Sequence, residues 1–285
     1  YDLVIASSSS CAKGVITSPN TAFVAYIHSP MRYAWDLYYD YFMNAGILTR
    51  FFMKRQMPAI RQWDFLSSQR INTLVANSSY IKKRIKKFWN RDSKVIFPPV
   101  DVDRLSPNNL PAEDFYVVFS RFVSYKRVDL AIKACGQLGK KLIVIGSGSQ
   151  ESELKTLASK YRKADIKFTG RINDEEVKVY LQKCRAMIFS AEEDFGIIPV
   201  ECQACGRPVI AFGKGGALET VKENTTGIFF QEQNEESLKE AIVRFEKLEG
   251  EGTFKTTVIV EHAQKFSAER FRRELQAVVD ETLKE

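Results

Sequence analysis

The sequence predicts an α/β protein made of two doubly wound parallel sheets. From residue 115 onward, short apolar runs alternate with helical periods almost without a break, the pattern of a parallel sheet covered by helices on both faces. Four further apolar runs precede residue 100, and Pro98 and Pro99 stand between the two sets, where a missing N–H ends a strand. A chain of 285 residues is also of two-domain length.

In chain order, LVIAS (3–7), FVAYIH (23–28), TLVAN (73–77) and KVIFP (94–98) read as strands, with helical stretches over 33–70 and 79–89. The chain starts in a strand that ends in serines, where a doubly wound domain usually feeds a glycine-rich turn. The first domain, residues 1–100, is therefore expected to lack its first strands and helices. The second, residues 101–265, opens with strand 115–120, helix 128–138, strand 141–146, helix 151–162, strand 166–170 and helix 174–184. Strand 186–190, a short helix near 199–205, strand 208–212, a helical turn after Gly216, strand 227–230 and helix 235–248 follow. Six strands suffice for a complete doubly wound domain. Residues 266–285 are expected to form a C-terminal helix crossing back to the first domain.

With 45% hydrophobic and 27% charged residues, the composition excludes fibrous, collagenous and disordered classes. No apolar stretch approaches the ~20 residues of a spanning helix, and the first residues lack the order of a secretory signal. The expectation is a soluble, cytoplasmic protein. Five cysteines (11, 135, 184, 202, 205) fit reduced core thiols. The C-x-x-C of Cys202 and Cys205 also admits a redox or zinc reading, which lacks a second Cys/His pair because the chain has only two histidines.

The net charge of +7 is concentrated. Residues 50–91 hold eleven Lys/Arg against the single acid Asp64, a net +10, while 1–49 sum to −1 and 92–285 to −2. Phe51, Phe52, Trp63, Phe65, Phe88 and Trp89 are interleaved with this charge, a mixture suited to an anionic membrane with an apolar layer beneath. A solvated helix face is the alternative. No nucleic-acid-binding signature accompanies the charge.

Chemistry concentrates after the strands of the second domain, where open α/β sheets bind ligands. Arg121 and Lys126 precede a helix whose free N–H groups favour anions, which makes a phosphate site. Strand 141–146 ends in Gly146-Ser147-Gly148, where backbone can approach a ligand closely or merely turn. Gly213-Lys214-Gly215-Gly216 forms a second amide-rich loop. In EDFGIIPVE, Pro199 suits the first turn of a helix, placing Glu201 in that turn and Glu193 in the loop before it. Both carboxylates can accept from the paired hydroxyls of a sugar, and the amides of Gly196, Ile197 and Ile198, next to Phe195, can take a phosphate. His28 closes a strand and can project toward an interdomain cleft, or be a buried, hydrogen-bonded histidine. Arg32, Trp35 and Asp36 follow on an expected helix, where Arg32 and Asp36 could also form a surface pair.

These motifs, in this order and at these distances, resemble the nucleotide-sugar domain of retaining glycosyltransferases of family 4, with the GT-B fold of two Rossmann-like domains facing a cleft. The resemblance covers roughly residues 70–285. It implies that Arg121 and Lys126 hold the donor diphosphate, Glu201 the ribose, Glu193 the donor sugar, and that Arg171 sits beside the base. The stretch YIHSPMRYAWD (26–36) is similar to bacterial mannosyltransferases acting on lipid-linked polysaccharides, which implies that His28 lines the reaction centre, with Arg32, Trp35 and Asp36 toward the acceptor.

The resulting expectation is a hexosyltransferase moving mannose from GDP-mannose, or a hexose from a UDP donor, to a lipid-linked saccharide in polysaccharide, O-antigen or lipopolysaccharide synthesis, peripheral on the inner membrane face. A glycogen-type glucosyltransferase differs in donor. A nucleotide-sugar-binding fragment or subunit without transfer activity is the alternative, since the glycine-rich loop near the amino terminus of family members is not found before the first strand. Asp101-Val102-Asp103 is a D-x-D, a metal motif in other glycosyltransferases, but it follows the linker prolines, away from the phosphate loops, so no metal or other cofactor is expected. Arg121 and Lys126 can neutralise the leaving diphosphate instead.

Overall fold

The computed structural model describes every residue except Asn44, Asn109 and Glu285. The chain divides into two compact units, Tyr1–Pro98 with Phe271–Glu285, and Pro99–Arg270.

The first unit holds four parallel strands side by side in chain order, β1 (Leu3–Ser8), β2 (Ala22–Ile27), β3 (Thr73–Ala76) and β4 (Lys94–Val95). Alternation along β2 supplies both faces. Phe23, Ala25 and Ile27 pack with Leu74 against Ile81, Ile85 and Trp89, while Val24 and Tyr26 pack with Val75 and Ile96 against Val278 and Val279 of the C-terminal helix. β4 ends at Val95, short of the expected 98, although Ile96 still donates its N–H to Ala76 O at 3.0 Å. β2 ends at Ile27, so His28 follows the strand.

The helical region expected over 33–70 holds two helices. Turns occupy 32–37, α1 runs Tyr38–Met43, and α2 runs Ile47–Gln69 with Pro58 inside it. Gly46 is extended (φ −68°, ψ 163°) and its carbonyl accepts from Arg50 N–H at 2.9 Å, which starts α2 afresh. Ser78 caps α3 (Ser79–Trp89) by accepting from Ile81 N–H.

The second unit alternates β5 (Tyr116–Phe119), α4 (Val128–Leu138), β6 (Leu142–Ile145), α5 (Glu151–Ala158), β7 (Ile166–Gly170), α6 (Asp174–Lys183), β8 (Ala186–Phe189), α7 (Ile197–Ala204), β9 (Val209–Phe212), α8 (Ala217–Thr220), β10 (Gly227–Phe230) and α9 (Glu235–Gly250). Then come α10 (Thr256–Gln264), which has only Ile259 and Ala263 buried and no clear apolar stripe in the sequence, and α11 (Ala268–Thr282), which belongs to the first unit from Phe271 onward. All six strands are parallel in the order β10-β9-β8-β5-β6-β7. Counted within the unit this is 6-5-4-1-2-3, the doubly wound order of a Rossmann sheet. β6, β8 and β9 are buried along their whole length, which is why they read as continuous apolar runs.

Candidate active site

The chain winds outward from β5 through β6 and β7, then returns to lay β8 on the other side of β5. That reversal is the switch point where open α/β sheets hold ligands. The loops leaving β5 and β8 there carry Arg121, Lys126 and Glu193.

The β5 loop is fixed by its neighbour. Phe122 donates its N–H to Ser147 O at 2.9 Å and accepts from Gln150 N–H at 3.1 Å. A Cβ on Gly146 (φ +129°) would fall 1.9 Å from the Ser120 carbonyl oxygen, and one on Gly148 would fall 2.4 Å from Phe122 O. The close approach that glycine permits at this turn is first of all to the protein's own backbone. Ser147 is exposed beside it. Arg121 is exposed and forms no ion pair among the described residues. Lys126 ends a short 3-10 turn, Ser124–Lys126, and its ammonium donates to the Glu193 carboxylate. Both side chains are mostly buried, 14% and 21% exposed, so this charge pair is less screened than a surface pair.

The Glu193 loop is braced from β9. Gly216 donates its N–H to Glu193 O at 2.8 Å. A Cβ on Gly215 (φ +65°) would meet Glu193 O at 2.4 Å, and one on Gly216 would meet Phe195 Cα at 2.2 Å. Phe195 is buried edge-on against Phe266, ring centres 5.7 Å apart. Gly196 (φ +91°) precedes α7, whose first N–H groups, with Ile197 and Ile198, lack partners within the helix. Pro199 does lie in the first turn, but the helix begins two residues earlier, at Ile197, which moves Glu201 from the expected first turn into the second. Burial pushes the Glu201 carboxyl up from its ordinary range; nearby Arg104 opposes this, and Asp174 and Asp101 add to it. Arg171 is exposed directly after Gly170 (φ +71°) and before the Asn173 capping box of α6.

Two residues beside this site gave little signal in the sequence. Ser190 follows β8, 2% exposed, its hydroxyl without a hydrogen-bond partner among the described residues. Gln233 donates to Ser190 O at 2.8 Å and accepts from Arg127. Nothing but position at the end of an apolar run distinguishes Ser190.

In the first unit, His28 is half-buried, its Nε2 2.8 Å from Ser7 Oγ and its ring edge-on to Tyr26 at 5.2 Å. Arg32, Trp35 and Asp36 lie on turns instead of the expected helix. Asp36 pairs with Arg84 of α3 where a pair with Arg32 was one expectation. Trp35 stacks on Phe88 at 4.8 Å and donates to Asp64 Oδ2. Asp64 also accepts from Trp89 at 2.7 Å and pairs with Lys13 at 2.7 Å. Lys13 and Asp64 are both buried, a link between the serine-rich turn and α2 that a lone lysine in the sequence does not announce.

The basic segment is thus less uniform than its composition. Arg84 and Trp89 are buried, and Arg91 donates to the carbonyls of Ser68 and Ile71. Lys82, Lys83, Lys86 and Lys87 remain exposed. Among the cysteines, Cys11 is exposed, against expectation, and the other four are buried; all five are free thiols. Burial raises the Cys202 and Cys205 thiols, away from redox reactivity. Among the described residues no three His, Cys, Asp or Glu side chains are grouped to hold a metal. Asp101 instead accepts from Arg104 N–H and pairs with its guanidinium at 3.5 Å. No helix among the described residues is long and apolar enough to cross a membrane.

A Rossmann-ordered sheet with a cation–carboxylate pair at its switch point defines a doubly wound domain of the α/β class. Residues 102–266, more than half of the chain, match the family described as Glycosyl transferases group 1, and the chain belongs to that family. It is 34% identical over 215 residues to a GDP-mannose-dependent monoacylated alpha-(1-6)-phosphatidylinositol monomannoside mannosyltransferase of Corynebacterium glutamicum, covering 66% of this chain and 56% of that one. It is 26% identical over 235 residues to the alpha-1,3/1,6-mannosyltransferase ALG2 of Saccharomyces cerevisiae, covering 65% and 46%. The chain spans about half the length of the curated relatives it matches. Two solved structures share the fold, each with a TM-score of 0.78 over 99% of this chain. One is the sucrose-phosphate synthase of Thermosynechococcus elongatus (20% identical, 73% of that chain), the other Anabaena HepE in complex with UDP-glucose (19%, 79%). The α/β class and the two Rossmann-like sheets predicted from the sequence are the ones found.

Proposed function

We propose that the chain is the hexose-transferring part of a retaining mannosyltransferase that takes mannose from GDP-mannose to a lipid-linked saccharide. The observation that carries the reading is the Lys126–Glu193 pair at the switch point, on the same loop as Arg121, which forms no ion pair among the described residues. A nucleoside diphosphate brings two adjacent negative groups, which two cations on one loop can bind and whose leaving charge they can stabilise. When the diphosphate takes Lys126, the Glu193 carboxylate is released to accept from hexose hydroxyls. Glu201 takes the ribose diol, Arg171 lies beside the base, and the α7 amides of Gly196, Ile197 and Ile198 face phosphate. The brace of Gly215 and Gly216 holds Glu193 in place throughout.

We assign residues 101–265 to the donor and residues 1–100 to the acceptor; in the latter, His28, held by Ser7, is assigned to the reaction and Arg32, Trp35 and Asp36 to acceptor contact. GDP-mannose is favoured because the C. glutamicum relative is named as GDP-mannose-dependent and a mannosyltransferase; a UDP-hexose is the second donor, named in the HepE complex. A lipid-linked acceptor fits the exposed lysines of α3, which suit attachment to the inner face of an anionic membrane. The reading is tested by incubating the chain with radiolabelled GDP-mannose or UDP-glucose and a lipid-linked saccharide. α-Linked mannosyl product supports it. Tight nucleotide binding without product leaves a binding fragment, and no nucleotide binding at all removes the proposal.

A further inference from the structure

α2 is built inside out for a helix of a soluble unit. Its buried residues are the polar Asp64, Ser67 and Ser68, and its first half buries nothing. Met53, Met57 and Ile60 are only partly covered, on the same side as Asp64. At 100° per residue, Ile47, Leu48, Phe51 and Phe52 lie together on the opposite side. They are exposed, and so are Tyr39 and Met43 of α1, a helix with no buried residue. These six are 59–86% exposed, far more than scattered surface hydrophobes require.

α2 exposes charge of one sign around this apolar face; the exposed acid of the arm, Asp40, lies on α1. α2 has one acid, Asp64, and that carboxylate is consumed in the core by Lys13 and two indoles. Exposed Lys54 and Arg55 flank the apolar residues, and Arg50 straps α2 to the end of α1 by donating to the carbonyls of Phe42 and Met43. Aromatic and aliphatic side chains among cations, with no exposed acid on α2, complement an anionic lipid surface, where apolar groups enter the acyl boundary and cations stay at the phosphates. A protein partner would have to supply a matching acidic rim, whereas an anionic lipid surface supplies the phosphates itself.

We infer that the α1–α2 arm inserts its apolar face into an anionic bilayer. This rests on the proposed lipid-linked acceptor and changes its anchoring: the arm enters the membrane, where the exposed lysines of α3 alone would only be attracted to it. Insertion predicts attachment that survives salt, since ions screen charge and leave apolar burial intact.

The test is sedimentation of the full chain with phosphatidylglycerol–phosphatidylcholine vesicles and with phosphatidylcholine vesicles, at low and high salt. Ile47, Leu48, Phe51 and Phe52 changed to Ser should reduce binding about tenfold or more at both salt levels. A second variant, with Lys82, Lys83, Lys86 and Lys87 changed to Gln, should lose binding only at low salt. Thermal unfolding and GDP-mannose titration of each variant check that fold and donor site are intact; failure of the wild type to bind nucleotide would strike the functional reading alone. Equal sedimentation of the Ser variant and the wild type would overturn the insertion. So would binding to neutral vesicles alone, no vesicle binding, or a wild-type self-association that the Ser variant abolishes.

Discussion

Replacing Gly216 by alanine separates the role of the β9 loop from that of backbone freedom. Gly216 sits at φ −68°, ψ −17°, which alanine adopts without strain. With no clash, Gly→Ala would stabilise by about 0.4–1 kcal/mol through the unfolded chain. The new Cβ, however, would lie 2.2 Å from Phe195 Cα, 2.4 Å from Phe195 O and 2.5 Å from Phe195 C. These are backbone atoms that no rotamer change can move, so the loop must retreat by roughly an ångström or more to reach ordinary contact, at ~1–3 kcal/mol. Net destabilisation of about 1–2 kcal/mol follows, together with displacement of Glu193, and a misplacement of ~1 Å can cost about a hundredfold in turnover. Gly250→Ala is the control, because a Cβ there meets nothing within 4 Å. Melting curves and kcat/KM for GDP-mannose would be measured for both variants. Loss of turnover confined to Gly216→Ala is expected; a Gly216→Ala protein with wild-type kcat/KM would refute the brace.

Asp64→Ala leaves buried Lys13 and two indole N–H groups without their shared acceptor, and should cost about 3–5 kcal/mol in denaturant unfolding, as for other broken buried pairs; a loss under ~1 kcal/mol would mean the pair is inert. Glu201→Ala should weaken both GDP and GDP-mannose, whereas Glu193→Ala should weaken only the sugar nucleotide; equal weakening of GDP by both would contradict the separation of ribose from hexose. Under the proposed role of Arg121 and Lys126 in neutralising the leaving group, chelator should leave transfer within about twofold, and activity lost to chelator and restored by magnesium or manganese would return Asp101 and Asp103 to the site.

The second unit was legible because buried parallel strands are continuous apolar runs and its helices, α10 apart, carry clear stripes. Strand order was not, since nothing local in VIAF or AMIF says which neighbour it pairs with, and only the order makes the β5 and β8 loops meet. Glu193 and Lys126 were readable as separate charges, and their pairing was not, for the same reason. The glycines at 146, 148, 215 and 216 stood out as permissive positions; that loops of the chain itself crowd against them became visible only with the Cβ distances. Within the helical region 33–70 the break at Gly46, where one extended residue restarts α2, has no signal beyond a lone glycine, and composition does not distinguish the inward face of α3 that buries Arg84 and Trp89.

Calorimetric titration of GDP-mannose into the wild type and Lys126→Ala tests the central claim most directly, because Lys126 is the cation that the structure joins to Glu193 at the switch point. Charge-assisted bonds in a partly desolvated site lead to a loss of about 2 kcal/mol, near thirtyfold in Kd, with GDP alone weakened as well. Unchanged affinity for GDP-mannose in Lys126→Ala would place the donor diphosphate elsewhere and contradict the account.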